Sequence, residues 1–334
     1  MSNFFKAGVI GLGVGSRHLK LYSSHKKISH IKVCDLDLKL MKSIGKKYKE
    51  IYLCNDPNEI LKDIETNMVS IASYDNFHHE QILTALDNHK HVLIEKPLCL
   101  NEDELKSICN KVNKNPDLIV STNFVLRNNP YFKYYKKLID KNYLGQIYHI
   151  EGSYNYGRLE KITNGWRGKL PNYSVSHGGG IHIIDLILWL TNEKVKECSS
   201  IGNKFLTKDL NFIGNDNIVS ILNFKNGMTS KISSNFGSVT PHYHELNIYG
   251  TKGTIIHNHE NSVWYKGRGK NNKVNIKFNI DNSYKEIIIK NFIDCISKNK
   301  NLQITFNDIK DAMAVSIAIE KSLKSNKFEK VKYR

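Results

Sequence analysis

Short apolar runs alternate with helix-period segments over the first 123 residues, and this alternation constrains the fold more than any other feature. The strand-like runs are KAGVIG (6–11), HIKVCD (30–35), MVSIAS (68–73), HVLIEK (91–96) and DLIVST (117–122). Helical periodicity lies between them, near residues 16–24, 38–48, 78–89 and 101–114. Asn101 followed by Glu104 predicts a capped start for the last of these helices. Such alternation is typical of βαβ units, so we expect an α/β doubly wound parallel sheet over residues 1–123.

The pattern changes after Asn123, where strands begin to dominate. A helix near 130–143 stops at Gly145, and two further helical segments lie near 285–298 and 307–324. The strand candidates are 146–157, 217–225, 228–236, 243–250, 253–258 and 273–280. Asn226–Gly227 separates two of them and predicts a hairpin turn. Since 334 residues exceed one ordinary core, we expect a second, α+β domain over residues 124–334.

A glycine cluster follows the first strand and opens the first helix. Gly11, Gly13 and Gly15, with Ser16 beside them, approximate the fingerprint of dinucleotide-binding folds of Rossmann type. Glycines let the backbone approach a pyrophosphate, and the helix start supplies free N–H groups to it. Asp35 ends the second strand, where a carboxylate would bind the ribose hydroxyls of NAD. The alternative is a tight turn without a ligand, which the presence of Asp35 disfavours.

The choice between NAD and NADP rests on the same acid. A carboxylate at Asp35 would repel the 2′-phosphate of NADP, which favours NAD. Lys39 and Lys42 lie nearby and could accept a phosphate, so NADP stays open as an alternative.

Charge and cysteine content limit the other classes of function. The net charge is +17, but 43 of the 49 basic residues are lysines spread along the chain, so we do not expect a nucleic-acid-binding protein. Six cysteines at positions 34, 54, 99, 109, 198 and 295 show neither C-x-x-C pairs nor zinc spacing, which predicts free thiols and no metal site. A strand begins within the first ten residues and the most apolar run, 181–190, is too short to span a bilayer, so we expect a cytoplasmic protein without a membrane partner.

Five motifs in this order and spacing carry a family resemblance. They are the glycine loop with Asp35, SYDNFHHE (73–80), EKP (95–97), GGGIHIID (178–185) and NIYGTKGT (247–254). Together they resemble the glucose–fructose oxidoreductase, inositol dehydrogenase and rhizopine-catabolism (Gfo/Idh/MocA) family over nearly the whole chain. The resemblance implies an NAD(P) domain and a C-terminal domain with a large, mostly antiparallel open sheet often used for oligomerisation. It thus implies a homodimer or homotetramer.

The chemistry implied by this family is hydride transfer between nicotinamide and a secondary alcohol of a sugar or cyclitol. The resemblance assigns proton handling to Lys96 and His182. The residues agree, because removing hydride from a carbinol requires a base, and a partly buried lysine at the end of a strand can serve as one. The resemblance also places His78 on the cofactor side, and we assign Ser73 and Glu95 to the cofactor site with it. Glu95 faces the other side of its strand and could instead tie the two domains together.

The sequence departs from the family just before His182. Many members carry an acid four residues before this histidine, where this chain has Gly178. His177 is a candidate replacement in the substrate site, and Asp185 shares a helix face with His182. A structural bond between Asp185 and His182 is the alternative. The missing acid argues against free myo-inositol and weakly favours a larger or nucleotide-linked sugar.

Further substrate-side candidates are Asn123, Arg127, Trp166 and Arg167. Arg127 could bind a carboxylate or phosphate through two bonds, or form a salt bridge between domains. Trp166 could stack on a sugar ring or a uracil, with Arg167 on a phosphate, or both could simply anchor their loop. His242 and His244 alternate along a strand and fit one sheet face better than a metal site.

Two other functions stay open. One is the same chemistry on a non-sugar carbonyl compound, such as a diol. The other is a non-catalytic NAD-binding regulator, which the intact EKP and H-x-x-D motifs disfavour. The sequence thus predicts an NAD(P)-dependent dehydrogenase with a small, sugar-like substrate that could be anionic or nucleotide-linked.

Overall fold

The computed structural model describes residues 4–170, 173–269, 272–298 and 300–334. Contacts between residues divide the chain into two compact units. The first unit runs to Val125 and also includes the later segment Asn282–Lys310. The second unit comprises Leu126–Asp281 and Asp311–Arg334. No described helix combines the length and hydrophobicity needed to cross a bilayer.

Parallel strands and helices alternate in the first unit. Its strands are β1 Phe5–Ile10, β2 Ile28–Cys34, β3 Ile51–Cys54, β4 Met68–Ile71, β5 His91–Ile94 and β6 Val120–Thr122. Its first helices are α1 Gly15–Ser23, α2 Leu38–Lys47, α3 Asn58–Leu61, α4 His78–Asp87 and α5 Glu102–Asn113. The sheet order is β3-β2-β1-β4-β5-β6 with every described pair parallel, which confirms the predicted doubly wound sheet.

Local side-chain chemistry sets the helix starts of this unit. The Asn101 side chain accepts a bond from the Glu104 N–H at 2.9 Å, and the Glu104 carboxylate accepts one from the Leu100 N–H at 2.8 Å. This arrangement confirms the predicted cap of α5. Asp37 caps α2 in the same way, accepting bonds from the N–H groups of Lys39 and Leu40. The sequence did not predict β3, because it is short and two of its four residues are exposed.

The second unit is built on a large, mostly antiparallel sheet. Its elements up to residue 275 are α6 Pro130–Asp140, β7 Ile147–Asn155, α7 Glu160–Thr163, α8 Ile181–Thr191, β8 Val195–Asn203, β9 Asn217–Phe224, β10 Thr229–Asn235, β11 Tyr243–Gly250, β12 Thr254–His257, β13 Ser262–Tyr265 and β14 Lys273–Asn275. The chain ends with α9 Ile287–Lys298, α10 Phe306–Ser325 and β15 Glu329–Lys330. The order β14-β13-β12-β11-β7-β10-β9-β8-β15 places β7 at the centre, parallel only to β10 among its described pairs.

Alternating burial gives this sheet one covered face and one open face. In β10, Ser230, Ile232 and Ser234 are buried, whereas the residues between them are partly exposed. The α8 helix packs on the covered face of β7 through Ile183 and Ile187, which surround Gly152. The predicted hairpin is confirmed: β9 and β10 pair antiparallel across Asn226–Gly227. The polar β8 and the short β13 and β15 were not predicted as strands.

The segment that returns to the first unit differs from the predicted division at residue 123. Lys27 donates a bond to the Ser297 carbonyl at 3.0 Å, and the Ser121 hydroxyl donates to the Ile304 carbonyl at 2.9 Å. Both bonds join residues that are far apart in sequence, so local patterns could not reveal this grouping.

Candidate active site

The glycine loop leaves β1 at the carboxyl edge of the parallel sheet. Gly11 has φ +85°, and a Cβ there would lie 2.2 Å from the Ala72 carbonyl oxygen, so this position requires glycine. A Cβ on Gly13 would meet no atom within 4 Å, which leaves open space against the backbone. Gly15 begins α1, whose first turn holds no acidic residue. The loop therefore offers free backbone and a helix start without negative charge, which fits a pyrophosphate.

Asp35 follows β2 at the same edge and shapes the loop. Its carboxylate accepts hydrogen bonds from the Leu12 N–H at 2.5 Å and from the Asp37 N–H at 2.8 Å. Ser16 donates its hydroxyl to the Gly13 carbonyl at 2.9 Å. The predicted ribose-binding acid is thus held beside the phosphate loop, where dinucleotide-binding folds use it.

The EKP segment follows β5, again at the carboxyl edge. Lys96 is half-buried, and its peptide bond to Pro97 is cis. His78 is fully buried and fixes this turn, with Nδ1 2.6 Å from the Pro97 carbonyl oxygen and Nε2 3.2 Å from the Ser73 carbonyl oxygen. His78 therefore stabilises the backbone around Lys96. The hydroxyl of Ser73 donates a hydrogen bond to the side chain of Gln81.

Glu95 lies in a buried polar network that sequence reasoning missed. Its Oε1 lies 3.3 Å from His18 Nε2 and accepts a bond from Asn123 at 3.0 Å. The other ring nitrogen of His18 lies 3.0 Å from the Ser70 hydroxyl, which lies 2.6 Å from the Tyr22 hydroxyl. Burial tends to raise the pKa of Glu95, but the bonds from His18 and Asn123 and the charge of Lys96 outweigh it and lower that pKa. Glu95 is thereby held as an anion next to Lys96.

In the second unit, His182 lies in the first turn of α8, directly after a π-helical turn at Ser176–Gly180. Its ring stacks on Tyr154 of β7, with centroids 6.0 Å apart and planes 16° apart. His244 pairs with Tyr154 across β7 and β11, and its ring lies 4.8 Å from that of His242. Three imidazoles and a phenol ring thus surround one point of the covered sheet face. No described residues form a group suited to a metal ion.

The structure pairs two predicted substrate residues with each other. Arg127 donates from Nε and Nη2 to the carboxylate of Asp185 at 2.6 to 3.2 Å, and both side chains are buried. The salt bridge that was weighed for Arg127 therefore lies within the second unit. This pair of opposite charges links α8 to the segment that contains Arg127.

The other residues predicted on the substrate side lie in different surroundings. His177 is buried, and its Nδ1 lies 2.7 Å from the Ser316 hydroxyl of α10. Arg167 lies over the Trp166 ring, 4.4 Å from its centroid. That ring meets Tyr173 edge-on at 6.3 Å. Asn123 binds Glu95 in the first unit.

Two side chains in these clusters had weak sequence signals. His18 stands three residues after Gly15, on the first turn of α1, where an inward-facing polar residue could have been noticed. Tyr173 was visible only as one of several aromatic residues around the 158–170 loop. His18 could not be assigned to Glu95, because the two residues lie 77 positions apart in the sequence.

Comparisons with known proteins agree with this geometry. Residues 5–124 match the family model described as "Oxidoreductase family, NAD-binding Rossmann fold", and residues 132–256 match the "GFO/IDH/MocA C-terminal domain". The chain is 25% identical to myo-inositol 2-dehydrogenase of Thermotoga maritima, over 98% of both chains. It is 24% identical to the scyllo-inositol 2-dehydrogenase (NAD(+)) of Bacillus subtilis, over 81% of this chain and 79% of the other.

Solved structures share the fold. Levoglucosan dehydrogenase in complex with NADH and levoglucosan superposes with a TM-score of 0.87 at 17% identity, covering 99% of this chain and 100% of that one. Scyllo-inositol dehydrogenase from Lactobacillus casei with NAD(H) and scyllo-inositol superposes with a TM-score of 0.82 at 17% identity, covering 98% of this chain and 99% of that one.

Proposed function

The chain belongs to the GFO/IDH/MocA family of oxidoreductases, and from that premise we propose how its residues divide the chemistry. It is an NAD-dependent dehydrogenase that transfers hydride between the nicotinamide and a secondary alcohol or ketone of a sugar or cyclitol. One observation carries the assignment of roles. The EKP lysine follows β5 at the sheet edge that also carries the glycine loop and Asp35.

The groups that would hold NAD are those of the first unit. The open backbone at Gly13 and the start of α1 suit the pyrophosphate, and Asp35 suits the ribose. When bound, NAD supplies the carbon that accepts or returns the hydride. Ser73 and His78 support this edge of the sheet through the turn that contains Lys96. The carboxylate of Asp35 favours NAD over NADP, because it would repel the 2′-phosphate of NADP.

We assign the hydroxyl proton to Lys96 and His182. A neutral lysine can take the proton from a carbinol, and its ammonium form can stabilise the oxygen of the ketone. Glu95 supplies a fixed negative charge that favours the ammonium form of Lys96. His182, half-enclosed by Tyr154 and His244, is suited to pass the proton on.

The test uses purified protein, NAD and a panel of polyols, hexoses and nucleotide sugars, followed by NADH absorbance. Lys96→Ala should abolish turnover while NAD binding, measured by quenching of protein fluorescence, stays intact. Lys106→Ala, an exposed lysine on α5, serves as the control and should match the wild type. Full turnover by Lys96→Ala would refute the role of this lysine.

The finer nature of the substrate is also a proposal. A sugar with an anionic or nucleotide-linked group is supported by two arginines next to aromatic rings: Arg158 over Tyr156 at 5.3 Å and Arg167 over Trp166 at 4.4 Å. A preference for a simple diol in the same panel would favour the non-sugar alternative. NAD binding without turnover of any compound would favour a regulator.

We further propose a cytoplasmic homodimer or homotetramer. All six cysteines are free thiols in the structure, which suits a reducing compartment. The partly exposed, alternating residues on the open face of β7 and β10 support this proposal, because a second copy could cover them. Light scattering coupled to gel filtration measures the oligomer, and a monomer at micromolar concentration would refute this part.

A further inference from the structure

A tyrosine occupies the space that a side chain at Gly178 would need. A Cβ built on Gly178 would lie 2.0 Å from the hydroxyl oxygen of Tyr173 and 2.6 Å from its Cζ. A Cβ does not come that close to non-bonded atoms, so no larger residue fits at 178 while Tyr173 keeps its position. The phenol hydroxyl therefore stands where the side chain of residue 178 would begin.

This position lies close to His182 along the same helical segment. Gly178 belongs to the π-helical turn that runs directly into α8, and His182 follows four residues later. Residues four apart in a helix face the same side. The Tyr173 hydroxyl, Gly178 and His182 belong to the second unit, so this placement is internal to one compact body.

Aromatic packing fixes the Tyr173 ring. Trp166, Phe212 and Phe236 each meet it edge-on, with centroids 6.3 Å away. Phe236 also packs against Tyr154 at 5.8 Å, and Tyr154 is the ring that stacks on His182. One continuous aromatic cluster thus holds both the phenol and the imidazole. A hydroxyl held this rigidly is pre-organised for binding.

His177, the replacement considered from the sequence, lies elsewhere. Its ring points to Ser316 of α10 and is 2% exposed. Tyr173 thus takes the space that was predicted for His177.

We propose that the Tyr173 hydroxyl is a substrate-contacting group that takes the place of a side chain at Gly178. This inference rests on the proposed dehydrogenase function. A phenol both donates and accepts hydrogen bonds and is uncharged at neutral pH, whereas a carboxylate only accepts and is negative. The hydroxyl can therefore bind either a sugar hydroxyl or an anionic oxygen of the substrate. The site consequently tolerates a carboxylate or phosphate on the sugar, which a negative side chain would repel.

The first test is Tyr173→Phe, which keeps the ring and removes only the hydroxyl. We expect kcat/KM for the best substrate of the panel to fall about tenfold, the effect of one lost hydrogen bond. NAD affinity should stay within error of the wild type. Tyr135→Phe is the matched control: this buried tyrosine bonds Ser262 and His257, so its loss should lower the melting temperature and leave kcat/KM unchanged.

A second test reverses the charge. The double variant Tyr173→Ala/Gly178→Asp removes the ring that a Cβ at 178 would meet and places a carboxylate in that space. With glucose and glucuronate as a matched neutral and anionic pair, we expect its kcat/KM ratio of glucuronate to glucose to fall at least tenfold below that of Tyr173→Ala. Gly178→Ala, which displaces the hydroxyl by steric contact, should lower kcat/KM in the same direction as Tyr173→Phe.

The outcomes separate the two proposals. Wild-type kcat/KM in Tyr173→Phe, or an unchanged substrate ratio in the double variant, would overturn the role of Tyr173 and leave the dehydrogenase assignment standing. A wild-type protein that turns over no compound of the panel would overturn the proposed function and this inference with it.

Discussion

At the scale of single residues, the charge of Glu95 should control the ionisation of Lys96. Glu95→Gln keeps a side chain of the same size but removes the negative charge that favours the ammonium form. The neutral base is then reached at lower pH. The acid limb of the kcat profile for alcohol oxidation should therefore move to lower pH by about one unit, measured from pH 5 to 10.

One control variant makes this prediction specific. Asn123→Ala removes one hydrogen bond to Glu95 but leaves its charge. The acid limb of the kcat profile should therefore move less than in Glu95→Gln. A profile of Glu95→Gln that coincides with the wild type would show that Glu95 has only a packing role.

Lys90 illustrates a buried charge with a structural role. Its Nζ is fully buried and donates to the carbonyl oxygens of Asp63 at 2.6 Å and Thr66 at 2.9 Å, and burial lowers its pKa. Lys90→Met leaves both carbonyls without this donor, so the free energy of unfolding should fall by about 2–4 kcal/mol. Urea unfolding measures this change in the free energy of unfolding. The exposed Lys114→Met should change it by less than about 0.5 kcal/mol.

The sequence identified the residues whose role follows from a local motif. Asp35 and Lys96 each end a strand next to a recognisable pattern, so their location at the sheet edge could be predicted. The contact of Glu95 with His18 could not be predicted, because His18 comes 77 positions earlier in the sequence. Arg127 and Asp185 were both named, but nothing local shows that they bind each other. Charge pairs of this kind depend on tertiary packing.

At the scale of elements, segments with a clear apolar or periodic pattern were predictable, and strands without such a pattern were not. The helices α5 and α10 and the β9–β10 hairpin carry caps, periodicity or a turn that specify them locally. β8, with the sequence VKECSSIGN, has no clear alternation, and it becomes a strand because β9 and β15 pair with it. Pairing partners decide such segments, as they do for β-structure in general.

The contact between α8 and β7 should control both stability and the placement of His182. A Cβ on Gly152 would lie 2.4 Å from Cγ2 of Ile183, so Gly152→Ala must displace Ile183, a residue of α8. Overpacking of this kind costs about 1–3 kcal/mol, and kcat should fall as well because α8 carries His182. Urea unfolding and steady-state kinetics measure the two effects.

A double-mutant cycle tests the cause. Adding Ile183→Ala removes the clashing methyl group, so the double variant should be less destabilised than the sum of the two single variants. Simple additivity would mean that Gly152→Ala acts through something other than this contact. Ser153→Ala, on the opposite face of β7, is the control and should leave kcat unchanged.

At the scale of the whole molecule, NAD binding should stabilise the protein through groups of the first unit. A ligand that binds only the folded state at about 100 times its Kd adds roughly 2.7 kcal/mol, so the melting temperature should rise by several degrees in excess NAD. Asp35→Ala should lose most of this rise, because it removes the ribose ligand and the acceptor for the Leu12 N–H. Asp117→Ala, an exposed acid, should keep the full rise, and so should Lys96→Ala. Scanning calorimetry with and without NAD measures these shifts. An undiminished rise in Asp35→Ala would mean that the dinucleotide binds without this carboxylate, and the assignment of the ribose site would then be wrong.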